Sequence, residues 1–409
     1  MTKKWIIALL LLPGLGVGAQ SIRLTRYDAP GALYFSADNL YNFNMYERSR
    51  LELGLAWVWP NEAATVQRRA SGQWMLLPYV AYGTGDHGWK YGLGTLLRLR
   101  GRQDVRLGLW LYDDVERAAS RRLGEYGILN TSLNDRMVTS RFSGVKGGNC
   151  DVTFTSCRGV RVRVGLRQTW EDYRFDSRGC LYPAIDAGQQ GERRMFSEVR
   201  GRMDWPSGVT LALTGGRMAP TGAGADREAS RYVQALAQYD ADLGKWGLHL
   251  YAQTGFASQE APYSRMFDLS GTAYAMYFFK HSFLTVRPNV FTANVFAHVC
   301  LNYTAPLPLW ELSWSAPHPF LQVNAMWGCL SGQDERGQRV WEELPLQAPN
   351  RGLLEPATGF DRLVHWGLLD VGFGVAYQIC PLSAAYFNED PGDNIAVVVV
   401  ADLILDRYK

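Results

Sequence analysis

The stretch FTANVFAHVCLNYT, residues 291–304, sorts its side chains by parity. Phe291, Ala293, Val295, Ala297, Val299, Leu301 and Tyr303 hold the odd positions. Thr292, Asn294, Phe296, His298, Cys300, Asn302 and Thr304 hold the even ones. Successive side chains of an extended chain leave on opposite faces, so one face is apolar or aromatic and the other mostly small and polar. A tilted strand crossing a bilayer needs about ten such residues, with aromatics near its ends. Phe291 and Tyr303 stand where those rings are expected. A long strand of a soluble sandwich alternates in the same way, so recurrence along the chain matters more than this one case.

The pattern recurs. LELGLAWVWP at 51–60 and residues 73–82 read as early strands. In 89–100, Tyr91, Leu93, Thr95, Leu97 and Leu99 share one face, with Gly92, Gly94, Leu96, Arg98 and Arg100 opposite. The link Gly101-Arg102-Gln103-Asp104 has hairpin chemistry. Beyond it, Val105, Leu107, Leu109 and Leu111 oppose Arg106, Gly108, Trp110 and Tyr112. In 160–167, Val160, Val162, Val164 and Leu166 alternate with Arg161, Arg163, Gly165 and Arg167. Further strands are expected at 194–205, 209–214, 231–243, 246–256, 319–330, 353–364, 366–379 and 394–406. With one more near 33–46 the count is about sixteen, within a range of twelve to sixteen.

Links alternate in length. Short ones are expected near 101–104, 206–208, 243–245 and 364–366. Long ones are expected near 113–135, 174–192, 216–229, 257–288, 331–352 and 380–393. A membrane barrel has this rhythm of tight periplasmic turns and long outer loops, and a sandwich has no reason for it. The region 143–158 breaks the rhythm, because a short turn belongs there. Composition agrees: 20% charged residues and 13% aromatics, without long apolar runs, suit strands whose lipid-facing and water-facing residues average out. The fold class expected is therefore all-β, a transmembrane antiparallel β-barrel. A pair of soluble β-sandwiches is its rival.

The N-terminus reads as an export signal: Lys3 and Lys4, an apolar core at 5–12, then Val17-Gly18-Ala19 as a small-residue cleavage site. The expected division is a signal peptide at 1–19 and an outer-membrane barrel at 20–409. The formal charge of +3 falls to +1 when Lys3 and Lys4 leave, which gives no footing for nucleic acid. Export permits disulfides. Of the six cysteines, Cys150 and Cys157 flank a short segment and form the one candidate pair. The spacing of the six fits no zinc site.

Catalytic patterns are missing: no GxSxG, HExxH, P-loop or strand-linked GxGxxG. His281 and Ser282 are adjacent, hence on opposite strand faces, which argues against a direct nucleophile–base pair and leaves a triad drawn from distant strands as the enzymatic route. Asp176, Asp186, Glu389, Asp390 and Asp393 fall on expected outer loops and read as solvated. No metal, cofactor or enzymatic activity is expected. The candidate functional residues are Arg98, Arg100, Arg106, Arg161, Arg163, Arg167, Arg200 and Arg202, on polar strand faces interrupted by Glu198 and Asp204. Inside a barrel they form either a basic wall favouring anions or Arg–carboxylate ladders that brace the lumen.

Residues 262–312, from PYSRMFDLSG to APLPLWEL, resemble the barrel portion of a large family of uncharacterised Bacteroidetes outer-membrane proteins. Many members carry a carboxypeptidase-regulatory-like sandwich before the barrel. The matching positions are Pro262-Tyr263, Met276 with Phe279, and Pro306-Leu307-Pro308-Leu309. Two further matches are Ala348-Pro349-Asn350-Arg351-Gly352 before Leu354-Glu355, and Gly372–Tyr377 with Asp393-Asn394-Ile395-Ala396-Val397 after it. Where the family has an acidic stretch, this chain has Phe279-Lys280-His281-Ser282. The resemblance implies a Gram-negative outer-membrane barrel, distantly similar to those of assembly and two-partner secretion factors. Its expected partners are outer-membrane lipid and, during biogenesis, the barrel assembly machinery. The function expected is structural or transport-related and non-catalytic, with a passive channel for small, anionic solutes or an enzyme with a rim site as alternatives.

Overall fold

The computed structural model describes residues 21–24, 31–36, 41–44, 47–60, 72–100, 103–117, 141–175, 193–220, 229–242, 247–258, 261, 266–268, 283–286, 291–330, 348–366, 369–379 and 394–403. The expected signal peptide, Met276, Phe279 and His281-Ser282 lie outside them, as do Cys180, Cys380 and the carboxylates Asp176, Asp186, Glu389, Asp390 and Asp393. Every regular element described is a strand, as the alternation predicts. The chain forms two compact units.

The first unit holds β1 (Ser21–Arg23), β2 (Ala32–Ser36), β3 (Tyr41–Asn44), β4 (Arg48–Trp59), β5 (Gly72–Gly83), β6 (Trp89–Arg100), β7 (Asp104–Arg117), β8 (Arg141–Thr155), β9 (Arg161–Phe175) and β10 (Arg193–Asp204). From β4 to β10 each strand pairs antiparallel with the next. β2 and β3 lie in line along one edge of β4, through Ala32↔Val58 to Ser36↔Gly54 and then Tyr41↔Leu51 to Asn44↔Arg48. They are the strand expected near 33–46. β11 (Val209–Pro220) contributes residues to both units.

The second unit holds β12 (Ser230–Asp242), β13 (Gly247–Ala257), β14 (Phe267–Asp268), β15 (Thr292–Ala293), β16 (Val295–Thr304), β17 (His318–Cys329), β18 (Leu353–Trp366), β19 (Leu369–Tyr377) and β20 (Ile395–Leu403). β12–β13–β16–β17–β18–β19–β20 is another antiparallel run, with β14–β15 a separate small pair. Sixteen strands, β2, β4–β13 and β16–β20, carry the architecture.

Burial runs opposite to that of a water-soluble sheet. In β4, Arg50 and Glu52 are buried while Leu51, Leu53, Leu55, Trp57 and Trp59 are exposed. In β9, Leu166 is 54% exposed and the neighbouring Arg167 8%. β16 repeats this with Val299 exposed between buried His298 and Cys300. The polar faces are thus the covered ones in both units. Phe291 departs from expectation: the strand starts at Val295, and Phe291 and Ala293 are buried, not interfacial.

The region 143–158 also resolves. β8 extends to Thr155, leaving only 156–160 as the turn to β9, so the short link is present after all. Gly144, Gly147 and Gly148 hide the strand from a propensity reading. Gly147 has φ +156° and a Cβ there would stand 2.3 Å from Gln168 O, so the pairing with β9 depends on its bare backbone. Of the expected long links, part of 257–288 is not free loop: residues 266–268 and 283–286 are built into the second unit.

Candidate functional site

Six of the eight arginines expected to form a basic wall stand within ion-pair distance of a carboxylate. At the β6–β7 turn, Asp104 receives Arg98 Nε at 2.9 Å and Nη2 at 2.7 Å, and Arg106 Nη2 at 3.0 Å. Arg98 and Arg106 are cross-strand partners, so one carboxylate serves both. Arg100 closes β6 opposite Asp104. Arg163 Nη2 lies 3.2 Å from Asp151 Oδ1. Gly108 makes room for that carboxylate, since a Cβ there would stand 2.9 Å from it. Arg167 reaches Glu171 at 3.8 Å and lies 5.8 Å from the Phe196 ring centroid. Arg200 donates to Glu198, and Arg202 Nε to Asp204 Oδ1 at 2.8 Å. Arg161, at the start of β9, is exposed. Arg98, Arg106, Arg163, Arg167, Arg200 and Arg202 thus each stand against a carboxylate.

A denser cluster escapes the sequence reading because β4 begins earlier than its apolar run suggests. Arg50, 3% exposed, donates to both oxygens of Asp114 at 2.5 and 3.0 Å and to Glu52 at 3.0 Å. Tyr79 Oη donates to Asp114 at 2.6 Å. Lys90 bridges Glu47 at 2.9 Å and Asp86 at 2.6 Å. A buried charge is tolerated only when paired and hydrogen-bonded; β4, β5 and β7 supply Glu52, Tyr79 and Asp114, while Glu47 precedes β4 and Asp86 lies in the β5–β6 link.

The second unit covers its polar face differently. Glu355, fully buried on β18, accepts from Leu284 N at 2.9 Å, from Thr285 N at 2.8 Å and from the Thr285 hydroxyl. That carboxylate fixes residues 283–286 against the sheet. Leu284 packs with Ala357, Ala376, Ala396 and Val398. The three alanines are one cross-strand row, small enough to admit it. Phe283 and Tyr251 flank His298, each at 5.5 Å between ring centroids. Phe267 stacks on Phe296 at 4.6 Å, and Asn302 donates to Gln322 at 3.1 Å.

The remaining sequence candidates scatter. Cys150 and Cys157 are free, exposed thiols and make no disulfide. Cys150 is paired within β8, five extended residues or roughly 16 Å from the strand end, beyond the Cα separation of about 7 Å that a bridge tolerates. Pro306 and Leu307 lie in the link 305–317, where Leu307 is exposed. Asn394 accepts from Gln378 N at its carbonyl and leads into β20. Among the described residues no group of His, Cys, Asp and Glu could hold a metal ion.

No protein-family model and no curated protein matches the sequence. Solved structures resemble the chain at low identity. BamA from Haemophilus ducreyi lacking POTRA domains 1–3 aligns at 10% identity with a TM-score of 0.46, over 98% of this chain and 78% of that one. CdiB from Escherichia coli aligns at 11% identity and TM-score 0.41, over 94% and 67%. The siderophore receptor PirA from Pseudomonas aeruginosa aligns at 8% and 0.39, over 85% and 65%.

Proposed function

We propose that this chain is an integral outer-membrane β-barrel of a Gram-negative bacterium, exported by a cleaved signal peptide. Its role is structural or transport-related, without catalysis. The observation that carries this is the reversed burial. Leaving a Leu or Trp in water costs about 1.5–3 kcal/mol each. The exposed row Leu51, Leu53, Leu55, Trp57 and Trp59 alone therefore costs on the order of 10 kcal/mol in water, about the whole stability of a domain. Against acyl chains it costs nothing. Exposed Trp74 on β5 and exposed Trp89, the cross-strand partner of Tyr82, mark two aromatic levels. Trp74 and Tyr82 enclose about the nine residues that a tilted spanning strand needs. Hydrocarbon does not tolerate unpaired strand edges, so this reading requires the sheet to close.

The sequence resemblance to Bacteroidetes barrels supports the same location. An anion-selective channel is the weaker reading, because Asp104, Asp151, Glu171, Glu198 and Asp204 already answer the Arg side chains. Single cysteines placed at 162–167 of β9, probed with a lipid-soluble and a water-soluble reagent, test the proposal. Protection of Val164 and Leu166 positions from the aqueous reagent and access to the lipid-soluble one is expected. Recovery of the protein in the soluble periplasm, without heat-modifiable gel mobility, overturns it. Discrete conductance in planar bilayers would revive the channel.

A further inference from the structure

We infer that the apolar face of the first unit carries a binding site for a phosphate-bearing membrane lipid. The inference rests on the membrane reading above. A furrow of about 1190 Å³ runs over this face, from β6 across to β11. On β8 it is lined by Gly148 and Cys150. Register sets Leu111 beside Gly148, and Leu109, Cys150 and Leu166 in one row. A small residue flanked by leucines on both adjoining strands makes a trough one strand wide, the shape of a single acyl chain. At Gly148 the Leu111 side chain already leans over β8, where an added Cβ would stand 2.8 Å from Leu111 Cδ2 and 2.5 Å from Trp110 O, so the trough lies at Cys150.

The furrow turns cationic toward the strand ends that lead into 118–140 and 221–229. Lys146, 69% exposed, stands 3.1 Å from Asp113. Arg217 lies on the same face of β11 as exposed Leu211 and Leu213 and is itself exposed. Among the described residues no carboxylate is within ion-pair distance of it. An Arg or Lys on a lipid face is unfavourable by up to about 2–4 kcal/mol at mid-depth and little near the interface. Asp113 accounts for Lys146, but hydrocarbon alone gives no reason for Arg217 at one end of an apolar trough. A lipid phosphate seated at Arg217, with Lys146 lining the same furrow and the chain over Cys150, gives one.

The detergent-solubilised full-length protein is titrated with phosphatidylglycerol and with phosphatidylcholine and examined by native mass spectrometry. Preferential retention of one phosphatidylglycerol is expected. Combined Lys146→Ala and Arg217→Ala should lower that retention about tenfold, and Cys150→Trp should abolish retention of either lipid. Ser197→Trp, filling the same furrow from β10, replaces it where heat-modifiable mobility shows that Cys150→Trp does not fold. Inorganic phosphate should not compete. Equal retention of both lipids, unchanged retention in the variants, or competition by phosphate alone would overturn the site while leaving the membrane location intact. Recovery of the protein without detergent in the soluble fraction would overturn both.

Discussion

The two units face the same difficulty, a polar sheet face withdrawn from water, and meet it in different ways. In the first unit cations and carboxylates answer one another across strands, from Arg98–Asp104 to Arg50–Asp114. In the second unit the chain returns on itself. Residues 283–286 cover the face, and a single carboxylate, Glu355, holds them by backbone N–H groups. Ion ladders are distributed, so each rung matters modestly where water reaches it. A returning segment concentrates its attachment, so one residue matters greatly.

Glu355→Ala should have the largest effect, about 3–5 kcal/mol, because it strands several buried donors at once. It is measured as a fall in the temperature at which the folded band disappears in heat-modifiability gels. Glu355→Gln, which keeps an acceptor, should lose clearly less. Asp114→Ala should follow at about 3 kcal/mol, since Arg50 and Tyr79 lose their common partner in a buried site. If it proves milder than a half-exposed rung, the distinction between distributed and concentrated attachment fails. If exposed Leu166 meets lipid as proposed, Leu166→Arg should cost about 2–3 kcal/mol, read as reduced folding into lipid vesicles. A neutral outcome there would mean that β9 presents the other face. Arg98→Ala should cost about 1 kcal/mol or less, because the pair is partly exposed and Asp104 keeps Arg106. The same thermal assay checks it.

The contrast also explains what was legible in the sequence. β6 was readable to its last residue, since Trp89–Arg100 alternates without interruption. The polar faces carrying Arg163 and Arg202 were readable for the same reason. Their partners were not, because parity places a residue on a face without saying which neighbour it meets. Reading Arg98 with Asp104 needs the register of the hairpin. β8 was hidden by glycines whose purpose is close packing against Trp110 and Gln168. The cluster at Arg50 was hidden by a strand start judged from apolar residues alone. Least legible was the seating of Leu284, which depends on alanines at 357, 376 and 396 that look unremarkable singly. Phe291 misled because an aromatic at the head of an alternating run has two uses, as an interfacial ring and as packing beneath a returning link.

The attachment of residues 283–286 fixes an order of events. Glu355 follows Leu284 by 71 residues in the chain. While the polypeptide emerges, Leu284 and Thr285 lack the carboxylate that receives their N–H groups until β18 exists. That attachment therefore belongs to the last stage of maturation, and a chain cut before β18 lacks it.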